Sequence, residues 1–169
     1  MVKHKEQRVG VFVDVQNMYH SAKNLYGSKV NFKEVLKEAV AGRKLVRAVV
    51  YVIKSQTAEE QSFFEALGKQ GFEVKMKDLQ VFIGGAKKGD WDVGMAIDAI
   101  KMADKLDSVI LVTGDGDFIP LISYLRENKG CLAEVIAFRE TTSSKLVESA
   151  DDFVDLSSDK KRFLISKRY

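Results

Sequence analysis

Aspartates stand at the ends of several apolar segments, and their spacing suggests metal chemistry. Asp14 lies at the end of RVGVFVDV, an apolar segment rich in β-branched residues. Asp115 and Asp117 follow the segment SVILVT in the sequence GDGD, and Asp92 is the second residue of WDVGMAIDAIKMADK. Carboxylates that are brought together without a counterion raise one another's pKa and destabilise a fold. A site that gathers these four side chains therefore requires a cation.

An oxygen-only site of this kind suits Mg²⁺ or Mn²⁺, which bind carboxylates and complete their coordination with water. Such a cation lowers the pKa of bound water and stabilises the charge that develops on a phosphodiester during hydrolysis. We predict that Asp14 and Asp115 bind metal directly. Asp92 and Asp117 are expected to hold a second ion or to orient water. Asn17, in the sequence DVQN, is expected to hydrogen-bond a ligand or Asp14.

Each candidate also has a structural explanation, which the sequence leaves open. Asp117 could cap the helix that follows it, and Asp115 could stabilise the glycine-rich turn. Asp92 would be favourable near a helix N-terminus, and Asn17 could be a second cap. Asp14 is the hardest to explain in this way, because a charge at the end of a buried strand carries a desolvation cost unless something pairs with it.

The remaining titratable residues are weaker candidates. The only histidines, His4 and His20, lack the paired spacing of a zinc site, so we expect structural roles for both. Asp90 and Asp98 are less favoured than the four aspartates above. Asp98 is close to Lys101 on the predicted helix, which predicts an ordinary surface ion pair.

The apolar pattern predicts the elements that would carry these residues. Near-continuous apolar segments predict buried strands at 8–15, 45–53, 108–113 and 132–138, and FEVKMKD and LQVFI predict two shorter strands. Helical patterns are found at 17–26, 31–40, 57–70, 91–105 and 118–130. The alternation predicts an α/β fold with a mainly parallel sheet and helices on both faces. Ligands of such sheets bind beyond the carboxyl ends of the strands, where the aspartates are expected.

Details of three helices can also be predicted. Asn31 with Glu34, and Thr57 with Glu60, have the spacing of a capping box. The helix at 91–105 has an apolar face that we expect to lie against the sheet. That face consists of Val93, Ala96, Ile97, Ile100 and Ala103.

Length and composition indicate one ordinary domain. The chain has 169 residues, of which 46% are hydrophobic and 30% charged, with a net charge of +3. This charge is too small to indicate nucleic acid by itself. A single cysteine, Cys131, is expected to be a small buried residue, and no apolar segment is long enough to span a membrane. We therefore expect a cytoplasmic protein that does not bind a membrane.

Three ordered motifs resemble the NYN domain family, and within it the LabA-like branch of the PIN-like nuclease superfamily. These motifs are DVQN, KKGDWDVGMAIDAI and TGDGDFIPLI, and the resemblance extends from about Val9 to Leu156. It implies a three-layer α/β/α sandwich of the PIN-like type, a divalent-metal site and endoribonuclease activity. By motif, it implies that Asp14 and Asn17 form the first acidic site, Asp92 is the helix aspartate, and Asp115 and Asp117 are the strand-end pair. We accordingly expect an N-terminal tail at 1–7, the domain at 8–157 and a solvated basic tail at 158–169.

Binding of RNA, which we expect to be single-stranded, requires basic groups around an acidic centre. Lys87 and Lys88 precede Asp92 in a glycine-containing loop that could contact phosphates. Arg139 and Ser143, within a cluster of hydroxyl residues, form a second candidate. Phe82 or Trp91 could stack on bases, although packing in the core is the favoured role of Trp91. A homodimer is also compatible with the sequence.

Two other functions remain open at this stage. The same fold could serve as a non-catalytic regulatory module that binds RNA or protein without turnover. A phosphatase-like or primase-like metal domain is less favoured. Haloacid-type phosphatases need a second acid two residues after the first aspartate, where DVQN has a glutamine.

Overall fold

The computed structural model describes residues 1–54, 57–85 and 87–165, with the backbone alone at 81, 87 and 88. Its strands are β1 Arg8–Asp14, β2 Lys29–Val30, β3 Lys44–Lys54, β4 Glu73–Asp78, β5 Gln80–Val81, β6 Lys87–Lys88, β7 Ser108–Val112, β8 Leu132–Ala137, β9 Asp152–Asp155 and β10 Leu164–Ile165. Its helices are α1 Val15–Tyr26, α2 Phe32–Val40, α3 Ala58–Lys69, α4 Asp92–Met102, α5 Ile119–Asn128, α6 Ser144–Ser149 and α7 Lys160–Phe163.

Six parallel strands form the central sheet, in the order β4-β3-β1-β7-β8-β9. Alternate residues of β1 point to opposite faces, so that Val11 and Val13 join the core beneath α1 and α2, and Phe12 joins the core beneath α4 and α5. The three-layer α/β/α sandwich expected from the motifs is therefore confirmed. Strand β9 was not predicted, because the sequence after β8 has no continuous apolar run.

Two of the local predictions have different outcomes. The Asn31 side chain accepts a hydrogen bond from the backbone N–H of Glu34 at 3.3 Å, as expected for the cap of α2. Thr57 is at the N-cap of α3, but its side chain makes no capping hydrogen bond. The hydrogen bond that the predicted capping box assigns to the Thr57 side chain is therefore wrong. Thr57 is extended there, with φ of −97° and ψ of 149°.

None of the described helices is both long and apolar enough to cross a bilayer.

The apolar face predicted for α4 is only partly correct, because Ala96, Ile100 and Ala103 pack in the core beneath α4 and α5 but Val93 and Ile97 do not. Met95 and Ala99 are the buried residues of this helix, whereas Val93 is 72% exposed and Ile97 is 46% exposed. Apolar residues occur around most of α4, so hydropathy alone does not select the buried side. Polar contacts at its edges select it instead, because Trp91 and Asp98 both bond to β3.

Trp91 has the packing role that the sequence favoured. Its Nε1 donates a hydrogen bond to the carbonyl oxygen of Val52 at 3.0 Å, and its ring lies 5.4 Å from that of Tyr51. Gly94 allows this arrangement, because a Cβ at that position would lie 2.6 Å from Cε3 of Trp91. The indole therefore holds the start of α4 on the sheet.

The segment after residue 157 is not a solvated tail through Ile165. Phe163 is 3% exposed and belongs to the core beneath α1 and α2, and β10 pairs with β2. Arg162 donates hydrogen bonds to Glu34 at 2.8 Å and to Glu38 at 2.7 Å. The basic composition concealed this docking, because a single aromatic residue and one arginine provide most of it.

Replacing Phe163 by alanine is expected to lower the free energy of unfolding by about 3 kcal/mol, because a buried ring leaves a cavity. Urea unfolding measures this loss. Lys161→Ala, at an exposed neighbouring position, is the control and should change it by less than about 0.5 kcal/mol. A loss of less than about 1 kcal/mol in Phe163→Ala would contradict the docked position of this segment.

Candidate metal centre and substrate cleft

An open cleft of about 490 Å³ lies at the carboxyl ends of β1 and β7. Its lining includes Asp14, Gln16, Asn17, His20, Ser21, Asn24, Asp90, Asp92, Asp115, Asp117 and Thr141. The four aspartates proposed from the sequence thus face one cleft. Helix α1 provides one wall, and the loop after β7 together with the start of α4 provides the other.

The loop after β7 is held in a tight conformation by its own hydrogen bonds. The backbone N–H of Asp115 donates to Oγ1 of Thr113 at 3.2 Å, and Oδ1 of Asp115 accepts from the backbone N–H of Asp117 at 2.9 Å. Gly114 is required because a Cβ there would lie 2.9 Å from Oγ1 of Thr142. Asp115 therefore does stabilise this turn. Asp117 is not a cap, since the N-cap of α5 is Phe118.

Three carboxylates converge closely enough to share a cation. One oxygen each from Asp92, Asp115 and Asp117 lies within 4.8 Å of the others. Burial, followed by the charges of Asp115, Asp14 and Asp90, raises the pKa of Asp92 to about 7. Full ionisation of these carboxylates therefore costs free energy in the folded protein. An all-oxygen donor set with this charge is of the kind that holds hard divalent cations.

Asp14 lines the same cleft but is not one of the three converging carboxylates. Its Oδ1 accepts from the backbone N–H of Asn17 at 3.2 Å, and its Oδ2 accepts from the Thr113 hydroxyl at 3.2 Å. Burial raises the pKa of Asp14, these two hydrogen bonds oppose that effect, and the charges of Asp115 and Asp90 add to it. The carboxylate therefore has a fixed orientation beside the cluster.

Asn17 connects the two walls of the cleft. Its Oδ1 accepts a hydrogen bond from the backbone N–H of Gly114 at 3.0 Å, and its own backbone N–H bonds to Asp14. The sequence predicted that Asn17 would bond to a ligand or to Asp14; its backbone bonds to Asp14, and its side-chain bond to the loop after β7 was not predicted. This second bond holds the start of α1 against the aspartates of that loop.

The basic and hydroxyl residues proposed for RNA binding are placed differently. The side chains of Lys87 and Lys88 lie outside the described residues, although their backbones form β6, which pairs with β5. Ser143 accepts a hydrogen bond from the backbone N–H of Leu146 at 3.4 Å and so caps α6. Arg139 donates to the carbonyl oxygen of Thr142 at 3.4 Å. Neither Arg139 nor Ser143 is among the described residues that line the cleft.

Asp98 is outside the cleft and does not form the predicted pair with Lys101. Its Oδ2 accepts from the Tyr51 hydroxyl at 2.8 Å and from Nζ of Lys75 at 2.7 Å. Burial alone would raise the pKa of Asp98, but these hydrogen bonds outweigh it and lower the pKa. The Asp98 side chain thus connects α4 to β3 and β4. The spacing of residues along the sequence could not predict these contacts between separate elements.

Several cleft residues were missed or undervalued by the sequence. His20 is exposed and lines the cleft, so it is not the structural histidine that we expected. Gln16 and Asn24 lie on the same side of α1 as His20. The spacing of four residues from Gln16 to His20 and from His20 to Asn24 is the signal that could have found them. Asp90 was undervalued, since its Oδ1 accepts from the backbone N–H of Asp92 at 3.2 Å.

A parallel sheet between two helical layers, with aspartates at the carboxyl ends of its central strands, is the arrangement expected of a PIN-like domain of the nuclease superfamily. The chain belongs to the NYN domain family, whose model matches residues 8–157.

Similar proteins come from bacteria and archaea. The chain is 25% identical to the low amplitude and bright protein LabA of Synechococcus elongatus over 162 residues, covering 90% of this chain and 86% of that protein. It is 31% identical over 159 residues to an uncharacterized protein of Methanocaldococcus jannaschii, covering 91% of this chain but only 57% of that protein. A solved structure of a Vibrio parahaemolyticus protein of unknown function matches with a TM-score of 0.87 and 33% identity, over 98% of this chain and 100% of that one.

Proposed function

We propose that this chain is a metal-dependent endoribonuclease that hydrolyses single-stranded RNA. The observation that carries the proposal is the convergence of Asp92, Asp115 and Asp117 within 4.8 Å at an open cleft. Membership of the NYN domain family supports the same reaction class. The cleft of about 490 Å³ is open to solvent, so a phosphodiester can reach these aspartates.

In this proposal, the three converging aspartates hold Mg²⁺ or Mn²⁺. Bound there, the cation supplies a water of lowered pKa and stabilises the charge on the phosphodiester. Asp14 is the fourth carboxylate of the site, and the hydrogen bonds from Asn17 and Thr113 keep its orientation constant. Preorganised groups of this kind need no rearrangement when charge develops, which is the main source of electrostatic catalysis.

Cationic groups on the rim would offset the repulsion between the aspartates and RNA. Lys87 and Lys88 precede Asp92 by five and four residues in the chain, and we assign phosphate contacts to these two lysines. Arg139 and Ser143 are second in rank, because the contacts described above already hold them beside α6.

Cleavage of labelled single-stranded and structured RNAs in Mg²⁺, Mn²⁺ or EDTA tests the proposal. We expect cleavage in either metal, no cleavage in EDTA, and loss of cleavage in both Asp14→Asn and Asp115→Asn. Asp104→Asn is the matched control, because Asp104 is 70% exposed and pairs with Lys129 away from the cleft. Folded protein that binds RNA without cutting it would favour the regulatory binding module instead. Cleavage that survives both cleft substitutions would reject this site.

A further inference from the structure

The two walls of the cleft differ in chemistry. One wall consists of carboxylates, whereas α1 presents Gln16, His20 and Asn24 to the same space. These three residues are four positions apart, so they form one stripe along the helix. At 1.5 Å per residue the stripe is about 12 Å long, and stacked bases are about 3.4 Å apart. The stripe is therefore long enough to contact more than one nucleotide.

The polar groups of this stripe are not used by the fold. Within the described ranges, the side chains of Gln16 and Asn24 form no hydrogen bond with another residue, and the recorded contact of His20 is with the Tyr19 ring at 5.4 Å. Other polar residues of α1 differ in this respect. Asn17 accepts from Gly114, and Ser21 accepts from the Thr141 hydroxyl at 3.0 Å. The stripe thus directs unused donors and acceptors into the cleft beside the aspartates.

Amide side chains recognise nucleosides better than phosphates. They offer a donor and an acceptor together, which matches base edges and the 2′-hydroxyl of ribose. They also carry no charge that would draw them to phosphate, and an imidazole ring adds a surface on which an unpaired base can stack. We infer that Gln16, His20 and Asn24 form a nucleoside-binding wall for the single-stranded RNA whose phosphate lies at the aspartate cluster. This inference rests on the proposed function, since it concerns the substrate of the same cleft.

The salt dependence of binding separates nucleoside contacts from phosphate contacts. A phosphate contact contributes about one unit to the slope of log K against log salt, whereas an uncharged contact changes affinity without changing the slope. RNA affinity is therefore measured by fluorescence anisotropy between about 50 and about 200 mM NaCl. The host protein carries Asp92→Asn and Asp117→Asn, in EDTA, so that cleavage is blocked and repulsion in the cleft is reduced.

In this host, Gln16→Ala with Asn24→Ala is expected to weaken binding of single-stranded RNA by about tenfold, from the loss of two hydrogen bonds. The slope should not change, and DNA of the same sequence should be affected less because it lacks the 2′-hydroxyl. Gln61→Ala with Asn128→Ala is the matched control, since these exposed amides lie on α3 and at the end of α5.

Three results would overturn the inference: an affinity equal to that of the control, a slope reduced by about one unit, or no saturable RNA binding by the host protein. Its failure is distinguishable from failure of the nuclease. If the Gln16 and Asn24 substitutions weaken RNA binding but the wild-type protein never cleaves RNA, the nucleoside-binding wall is supported and the nuclease proposal is rejected. If the wild-type protein cleaves RNA but the same substitutions leave RNA affinity unchanged, the nuclease proposal is supported and the nucleoside-binding wall is rejected.

Discussion

The Asp92→Asn variant is expected to lose metal-dependent RNA cleavage by about a thousandfold, because the cation supplies several kcal/mol of transition-state stabilisation. The same variant is expected to be more stable than the wild type when metal is absent. Both effects have one cause. The aspartate cluster is arranged for a cation, and without one the carboxylates repel one another.

The stability difference has a defined pH dependence. The pKa of Asp92 is raised to about 7, so the folded protein retains a proton that the unfolded chain releases near pH 4. The stabilisation from this proton is complete below about pH 4 and is lost as the pH rises to about 7. Since Asp92 is only partly buried, we expect the variant to gain about 1 kcal/mol at pH 8.

Urea unfolding in EDTA at pH 5 and at pH 8 measures this gain, and RNA cleavage in Mn²⁺ measures the loss of activity. Added Mn²⁺ should stabilise the wild type more than the variant, because a ligand that binds only the folded state adds to its stability. Asp104→Asn serves as the control for both measurements. A variant that is less stable than the wild type at pH 8 would show that the cluster is not under repulsion.

Replacing Arg43 by methionine is expected to lower the free energy of unfolding by about 3 to 5 kcal/mol, the largest loss of stability that we predict. The Arg43 side chain is fully buried, and its two terminal nitrogens bond to Glu134 at 2.8 and 3.1 Å. Ser108 also donates to Glu134, and Arg43 itself donates to the carbonyl oxygen of Ala39 at 2.8 Å. The variant removes the bidentate partner of a buried carboxylate, which among the described residues then keeps only Lys3 at 3.6 Å and the Ser108 hydroxyl.

Urea unfolding tests this loss, and two further variants identify its cause. Arg43→Met with Glu134→Leu should recover much of the stability, because it also removes the stranded charge. Arg47→Met, which breaks the exposed pair with Glu73, should cost less than about 1 kcal/mol. If Arg43→Met costs no more than Arg47→Met, the buried pair does not have the role that its geometry indicates.

The α/β class and the position of the site were predictable because both depend on local patterns. Buried parallel strands are near-continuous apolar segments, and an aspartate that follows such a segment must lie at the carboxyl edge of the sheet. Asp14 and Asp115 could be placed at one edge on this basis. The NYN motifs are also local patterns, because each combines a strand end with the residues that follow it.

The roles within the site were less predictable. Asp14 was expected to be a direct metal ligand alongside Asp115, and that role stays a prediction; the structure adds that hydrogen bonds from Asn17 and Thr113 hold its carboxylate beside the three converging aspartates. Asp115 both stabilises the turn after β7 and belongs to the carboxylate cluster. The sequence had presented these two roles as alternatives. Distances between segments far apart in sequence decide such questions, and periodicity contains no information about them.

The amino-acid sequence by itself determined the alternation of the main strands and helices, the family and the edge of the sheet at which the aspartates gather. Only the tertiary structure decided which side of α4 is buried, that Phe163 joins the core, and that Arg43 meets Glu134. The first group depends on neighbours within a few residues along the chain. The second depends on how elements rotate and pack against partners that are distant in sequence, such as Arg43 and Glu134, which are 91 positions apart. There, contact energies rather than local preferences select the outcome.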